Sequence, residues 1–312
     1  MNMEASSTWN PEQIEQRKLE ESVGQNTTEN FVTCIHRAKL AGNFRDIMVT
    51  WSKTLIGHSL IIMVEENPCE GTQSTCKIDL KTWQFWGKKG LKSFKVDEKR
   101  VDVYWDLRSA KFSTCSPEPS SGYYVALVSD KELILFLGDQ KKEAYSRTKC
   151  RPSSMDAALV HKKENVFAKK CFCTRTMLGE GKREHHIIIE SSINPGPYDD
   201  PEMWISVDGI ESVRVSNLHW RFRGNETLVV DGIPVQIFWD VHDWLYNNDD
   251  ESVSGPGTFI FMQGNINRDE EVDEDYSVGR RRRSNPNCDG VDFDYQVITA
   301  EFCHFLYAWK TE

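Results

Sequence analysis

From Phe31 onward the chain is written in short runs of β-branched and aromatic residues separated by turn signals, the two-residue alternation of half-buried strands. The pattern predicts strands at Phe31–Lys39, Arg45–Trp51, His58–Val64, Cys76–Leu80, Ser93–Val96, Val101–Trp105, Tyr123–Val128 and Glu132–Leu137. Asp139–Lys149 lacks β-branched residues apart from Thr148, and its Lys-Lys-Glu-Ala-Tyr predicts a short helix. After Pro152 the rhythm resumes at Val166–Arg175, Glu184–Ser191, Met203–Val207, Ser212–Val215, Trp220–Phe222, Thr227–Val230, Val235–Trp239, Phe259–Met262 and Tyr295–Trp309. Ile187-Ile188-Ile189 is apolar on both faces and predicts a strand covered on both sides. No helix-period segment is long enough to cover a parallel sheet, so the expected class is all-β, built as antiparallel sandwiches or flattened barrels.

The strand pattern also repeats. Phe94 to Phe112 aligns without gaps onto Leu228 to Tyr246, placing Val-Tyr-Trp105-Asp106-Leu on Ile-Phe-Trp239-Asp240-Val. Trp83–Gly87 matches Trp220–Gly224 after a short length difference, Gly122–Ala126 matches Gly257–Phe261, and His58–Ile62 resembles His185–Ile189. Four blocks in one order imply a tandem unit of roughly 110 residues, an ordinary domain size. The expected organisation is a disordered tail at 1–28, a first β domain at 29–140, a linker with the short helix at 141–154, and a second β domain at 155–312. That second domain carries a disordered charged insertion at about 247–290. Trp105 and Trp239 then read as core anchors, and Asp106 and Asp240 as acceptors of turn amides.

These motifs resemble a plant family catalogued as domain of unknown function 868. The residues that carry the likeness are Val49–Lys53, Gly57–Leu60, Val96 through Lys111, Pro117–Pro119, Gly122–Val125, Gly138-Asp139 and Lys142–Tyr145. In the second half they are Pro201–Ile205, Trp220–Gly224, Val229–Gly232, Pro234–Trp244 and Leu306–Trp309. The tail and the charged insertion depart from the family pattern. The resemblance implies an architecture and a plant origin; it implies no activity and no catalytic residue.

Charge and cysteine usage narrow the setting. A net charge of −10 disfavours general nucleic-acid binding, which draws its affinity from clustered Lys and Arg. The nine cysteines are odd in number and scattered, and the polar start Met1–Asn30 lacks the apolar core of a secretory signal. Reduced thiols in a cytoplasmic, and also nuclear, setting are therefore expected, and the sequons at Asn26 and Asn225 read as chance matches. No stretch approaches 18 apolar residues, so no spanning helix and no stable membrane attachment are expected.

Candidate chemistry is sparse. Cys171-Phe-Cys173 is a single close pair, whereas structural zinc needs two, so buried, inert thiols are expected and no metal site is assigned. His185 and His186 point to opposite faces of one strand. His242 with Asp240 and Asp243 is a better cluster, with Arg108 in its place in the first half, and is expected to form a surface turn. There is no Gly-x-Ser-x-Gly elbow or phosphate-binding loop, and the Asp106/Asp240 pair reads as structural, so no catalytic residue and no cofactor is assigned. Arg280, Arg281, Arg282 and Arg283 with Ser284 form a basic patch with a kinase-target serine.

Two segments fit a short acidic-aromatic-x-x-aliphatic motif that adds as a strand to ubiquitin-like autophagy proteins. They centre on Trp204 with Val207 and on Tyr295 with Ile298. The leading expectation is a non-enzymatic adaptor with a protein partner. A small apolar ligand held in the interior is the alternative, and a hydrolase the third reading. An adaptor calls for an exposed aromatic patch or sheet edge over a filled interior, a carrier for a large tryptophan-lined cavity.

Overall fold

The computed structural model describes residues 30–54, 57–67, 72–81, 86–113, 116–179, 183–192, 200–246, 255–263 and 302–311. Strands β1 (Asn30–Leu40), β2 (Asn43–Thr54), β3 (Gly57–Asn67) and β4 (Thr72–Lys81) form an antiparallel meander. Strands β5 (Lys89–Val96) and β6 (Lys99–Asp106) follow, then a two-stranded ribbon of β7 (Lys111–Phe112) and β8 (Pro119–Ser121), and then β9 (Tyr124–Ser129) and β10 (Glu132–Gly138). Helix α1 (Lys141–Thr148) ends on Lys149, whose left-handed backbone returns its N–H to the Tyr145 carbonyl. The second half runs through β11 (Ala158–Ala168), β12 (Cys171–Leu178), β13 (Arg183–Ser192), β14 (Glu202–Val207), β15 (Ile210–Val215), β16 (Arg223–Val230) and β17 (Ile233–Asp240). A one-turn helix α2 (His242–Tyr246) precedes β18 (Gly257–Gln263) and β19 (Phe302–Lys310).

The all-β expectation holds. The two halves of the sequence, however, share one sheet of nine strands in the order β16-β17-β18-β19-β11-β1-β2-β3-β4. Its seam is β11, antiparallel to β1 on one side and parallel to β19 on the other. Two four-stranded sheets, β10-β9-β6-β5 and β12-β13-β14-β15, complete the layers. One core joins the β1–β4 flank to the first of these through Trp51, Ile62, Val103, Trp105 and Leu127. The other joins the opposite flank to β12–β15 through Phe172, Ile187, Ile205, Trp239 and Phe259. A small third cluster packs Ala144 of α1 against Tyr124, Ala126 and Val128, the outer face of the first small sheet.

Four local expectations need correction. The single strand expected over Val166–Arg175 is two strands, because a bend at 169–170 carries the chain from the long sheet into the small one. No glycine or proline marks that bend in the sequence. Trp220–Phe222 is not a strand: Asn217 takes a left-handed backbone, and its carbonyl accepts the amides of Trp220 and Arg221. The turn expected at His242 is the helix α2. Ile188 lies half-buried between buried Ile187 and Ile189, so β13 is only partly covered on its outer face.

The repeated Trp-Asp segments adopt matching geometry. The indole N–H of Trp105 donates to the Gly87 carbonyl at 2.8 Å, and that of Trp239 to the Arg221 carbonyl at 3.0 Å. Each ring lies flat over a glycine of the neighbouring strand: a Cβ on Gly90 would come within 2.2 Å of Trp105, and one on Gly224 within 2.4 Å of Trp239. Gly224 thus corresponds to Gly90, three residues later than the sequence alignment onto Gly87 implied. Asp106 accepts the Arg108 amide and Asp240 the His242 amide, as expected of turn-capping carboxylates. Both preceding hairpins turn through paired positive-φ residues, Asp97-Glu98 and Asp231-Gly232. Gly90→Ala and Gly224→Ala should each cost about 1–3 kcal/mol, since neither indole can move without losing its carbonyl bond. Urea unfolding measures this, and losses within about 0.5 kcal/mol would mean that the rings are not seated as described.

Candidate functional site

Three places concentrate polar or aromatic chemistry among the described residues. The first is the seam itself. Lys162 and Glu164, two apart on β11, share its inward face; their charges lie 3.5 Å apart with almost no exposure. Thr174 of β12 donates to Glu164 at 2.5 Å, and His304 of β19 places Nε2 3.2 Å from the same oxygen. Lys162 also donates to the Arg175 carbonyl, and Cys34 of β1 is its cross-strand neighbour. Burial alone would raise the Glu164 carboxyl, but the Lys162 charge and the bonds from His304 and Thr174 outweigh it and hold it at about 2. His304 is pushed down to about 4 by burial and stays neutral at pH 7. Burial pushes the Glu118 carboxyl up, against the pull of Lys162 and Arg175. With Glu164 at 1% exposure and His304 at 0%, a substrate has no approach to the cluster, and its role is to join the halves.

The second is a surface cleft of about 590 Å³ between α1 and the first small sheet, lined by Lys89, Asp106, Arg108, Tyr124, Lys142 and Arg147 among others. Its charges are mostly committed. Asp106 is held at about 2: its burial, which opposes this, is overcome by bonds from Arg108 and Lys89. Arg147 donates to the carbonyls of Trp105 and Gly90 and so clamps the helix to the strand ends.

The third is an exposed aromatic surface on the second half. The turn closed by Asn217 leads through His219, Trp220 and Phe222 into β16, and α2 lies beside it. Phe222 meets Tyr246 edge-on at 5.8 Å and His242 at 5.4 Å; His242 and Tyr246 are 5.1 Å apart. The Tyr246 hydroxyl donates to the His219 carbonyl at 2.6 Å, tying helix to turn. Arg223 lies over the Phe222 ring at 5.5 Å while bonding Asp240 at 2.7 Å. Trp220 projects from this scaffold with 88% of its surface exposed, beside the exposed Arg221. Trp244 anchors α2 from beneath, stacked on Phe172 at 5.1 Å and bonded to the Ala308 carbonyl.

The candidates read from the sequence are scattered. Trp204 is half-buried on the outer face of β14, its indole bonded to Glu190 at 2.8 Å. Val207 is buried in the core, and β14 is paired with β13 on one side and β15 on the other. A peptide edge could add here only by displacing a strand. Tyr295, Ile298, Arg280–Arg283 and Ser284 lie outside the described residues. Cys171 and Cys173, expected to be buried, face outward, because Phe172 between them takes the inward position. His185 is buried between Asp208 and Asp231 at 2.9 and 3.3 Å, with His186 exposed on the opposite face. No group of three or more His, Cys, Asp or Glu among the described residues is arranged to hold a metal ion, and none of their helices is long and apolar enough to cross a membrane. Trp220 was missed as a site residue because it sits in a repeated aromatic block, which reads as core.

A family model described as plant protein of unknown function (DUF868) matches residues 27–310. The chain belongs to the DUF868 family. No curated protein and no solved structure matched it. The DUF868 match starts just before β1 and ends on the last residue of β19, so the family unit spans both halves and the sheet they share.

The seam generates a test of stability. Glu164→Gln should cost about 3–5 kcal/mol, because it leaves the Lys162 charge buried without its partner. Lys162→Met with Glu164→Leu should recover most of that loss in urea titrations. Acid should act in two stages. His304 takes up its proton near 6.5 when unfolded but near 4 when folded, and Glu164 near 4.5 and about 2. The unfolded chain therefore binds more protons as pH falls, so stability is full above about 6.5 and declines through both windows. The double variant should flatten the decline below 4.5; an unchanged acid limb would show that Glu164 is not held as described.

Proposed function

We propose that this DUF868 protein is a non-enzymatic interaction protein of the plant cell interior, two related β units built on one sheet, and that the aromatic surface around Trp220 is where it contacts a protein partner. The observation that carries this reading is the 88% exposure of Trp220 on a turn pinned by the Tyr246–His219 bond. A large apolar side chain held in water is costly unless something covers it, and tryptophan, tyrosine and arginine are the residues on which binding energy concentrates. Here Trp220, Tyr246, Arg221 and Arg223 share one end of the second half. Among the described residues the adjoining strand β16 is the end strand of the long sheet, so its first residues offer a partner main-chain groups next to the aromatic anchor.

The carrier reading has less support. Trp51, Tyr124, Phe172, Phe259 and Phe261 are fully buried in packed cores, and the 590 Å³ cleft is lined largely by charge. Binding of a ubiquitin-like autophagy protein now rests on Tyr295 and Ile298, since the Trp204 strand has no free edge.

The test is affinity capture from plant extract with the full chain, with Trp220→Ser and with Leu91→Ser as a surface control from the first half. Partners held by the wild type and the control should weaken about 30-fold or more with Trp220→Ser, the loss of about 2 kcal/mol typical of a hot-spot tryptophan. Unchanged far-ultraviolet circular dichroism secures the comparison. Equal retention of every partner by all three proteins would refute the assignment.

A further inference from the structure

The thiols of β12 share one strand face, as alternation dictates, but that face is the outer one and not the core. Phe172 is fully buried and stacked on Trp244, which fixes the strand and forces Cys171 and Cys173 onto the same outer face. Their sulfurs stand 4.0 Å apart. Cys171 is exposed and Cys173 half-exposed, on the strand that ends the small sheet among the described residues. Among the other described thiols, Cys34 and Cys76 are buried, burial raises the thiols of Cys34, Cys76 and Cys303, and the half-buried Cys150 pairs with the Thr148 hydroxyl at 3.0 Å rather than with a second thiol.

We propose that Cys171 and Cys173 form a reversible dithiol–disulfide site oxidised by hydrogen peroxide. The exposed Cys171 thiolate attacks the peroxide; its S–O bond forms as the O–O bond breaks, leaving a sulfenic acid and one water. The Cys173 thiolate then attacks that sulfur; the S–S bond forms, the S–O bond breaks, and a second water leaves. Two electrons pass from the two thiols to the peroxide, and the two thiol protons end in the waters. The short sulfur separation favours closure within the chain over capture by a second molecule, since the partner thiol is already in place. Exposure leaves the bond open to attack by small thiols, so reduction regenerates the pair.

Trypsin isolates the site, because cleavage after Lys170 and Arg175 releases Cys-Phe-Cys-Thr-Arg with both sulfurs in one peptide. The full chain is treated with hydrogen peroxide, blocked with N-ethylmaleimide, digested and weighed by mass spectrometry. The peptide should appear unalkylated and lighter by two hydrogens, and should return to the doubly alkylated form when dithiothreitol precedes blocking. In Cys173→Ser the oxidation should stop at Cys171 sulfenic acid, captured by dimedone, whereas the wild type should show little capture. A doubly alkylated peptide at peroxide levels that oxidise other thiols of the chain would overturn the proposal. So would either sulfur joined to a third cysteine or to another chain.

Discussion

The fold depends on β11 being paired along both edges, with β1 of the first half on one side and β19 of the second on the other. Without that strand the long sheet would fall into two pieces, each with a raw edge in its middle. The seam is also where the chain places two of its most buried charges. Taking Lys162 and Glu164 out of water is expensive, and their mutual attraction offsets this only because Thr174 and His304 supply the remaining contacts to the carboxylate. These contacts come from β12 and β19, so the charges are satisfied only once β11 is flanked and covered. Register follows from the same condition: a slip by one residue would turn both charges to the opposite face.

Around this seam the halves repeat a construction and then depart from it. The glycine-seated tryptophan and the capping aspartate occur in both and serve folding in both. The departures lie beside the repeated elements. Where the first half has Arg108 paired with Asp106, the second has His242 at the start of α2, and α2 carries the tyrosine that braces the Trp220 turn. Among the described residues α1 packs on the outer sheet face of the first half, whereas Trp204, Ile188 and the thiol pair lie on that face of the second. The shared geometry thus belongs to the cores, and the departures lie at the surface of the second half.

Much of the architecture was legible in alternation alone, because strands with one buried face must alternate. Most strands could be read that way, the short helix from its lack of β-branched residues, and the role of both Trp-Asp segments from their repetition. What could not be read was pairing between distant strands: nothing in Ala158–Ala168 announces that it will join β1 to β19, since register is set by partners far apart in sequence. Lys162 and Glu164 look like surface residues of an edge strand until that pairing is known. The bend at 169–170 has no turn residue, so two strands read as one. Trp220 illustrates the opposite failure. Its neighbours resemble a core block, and only the left-handed turn at Asn217 rotates its side chain into water.

The two halves form one body through the β1–β11 seam. The most direct test of this is hydrogen exchange of the full chain across a urea series, comparing peptides from β2 and β6 with peptides from β13 and β18. All four should share one midpoint and one slope, with β1 and β11 protected until that same transition. Two separated transitions, with β1 and β11 exchanging before either core opens, would contradict it.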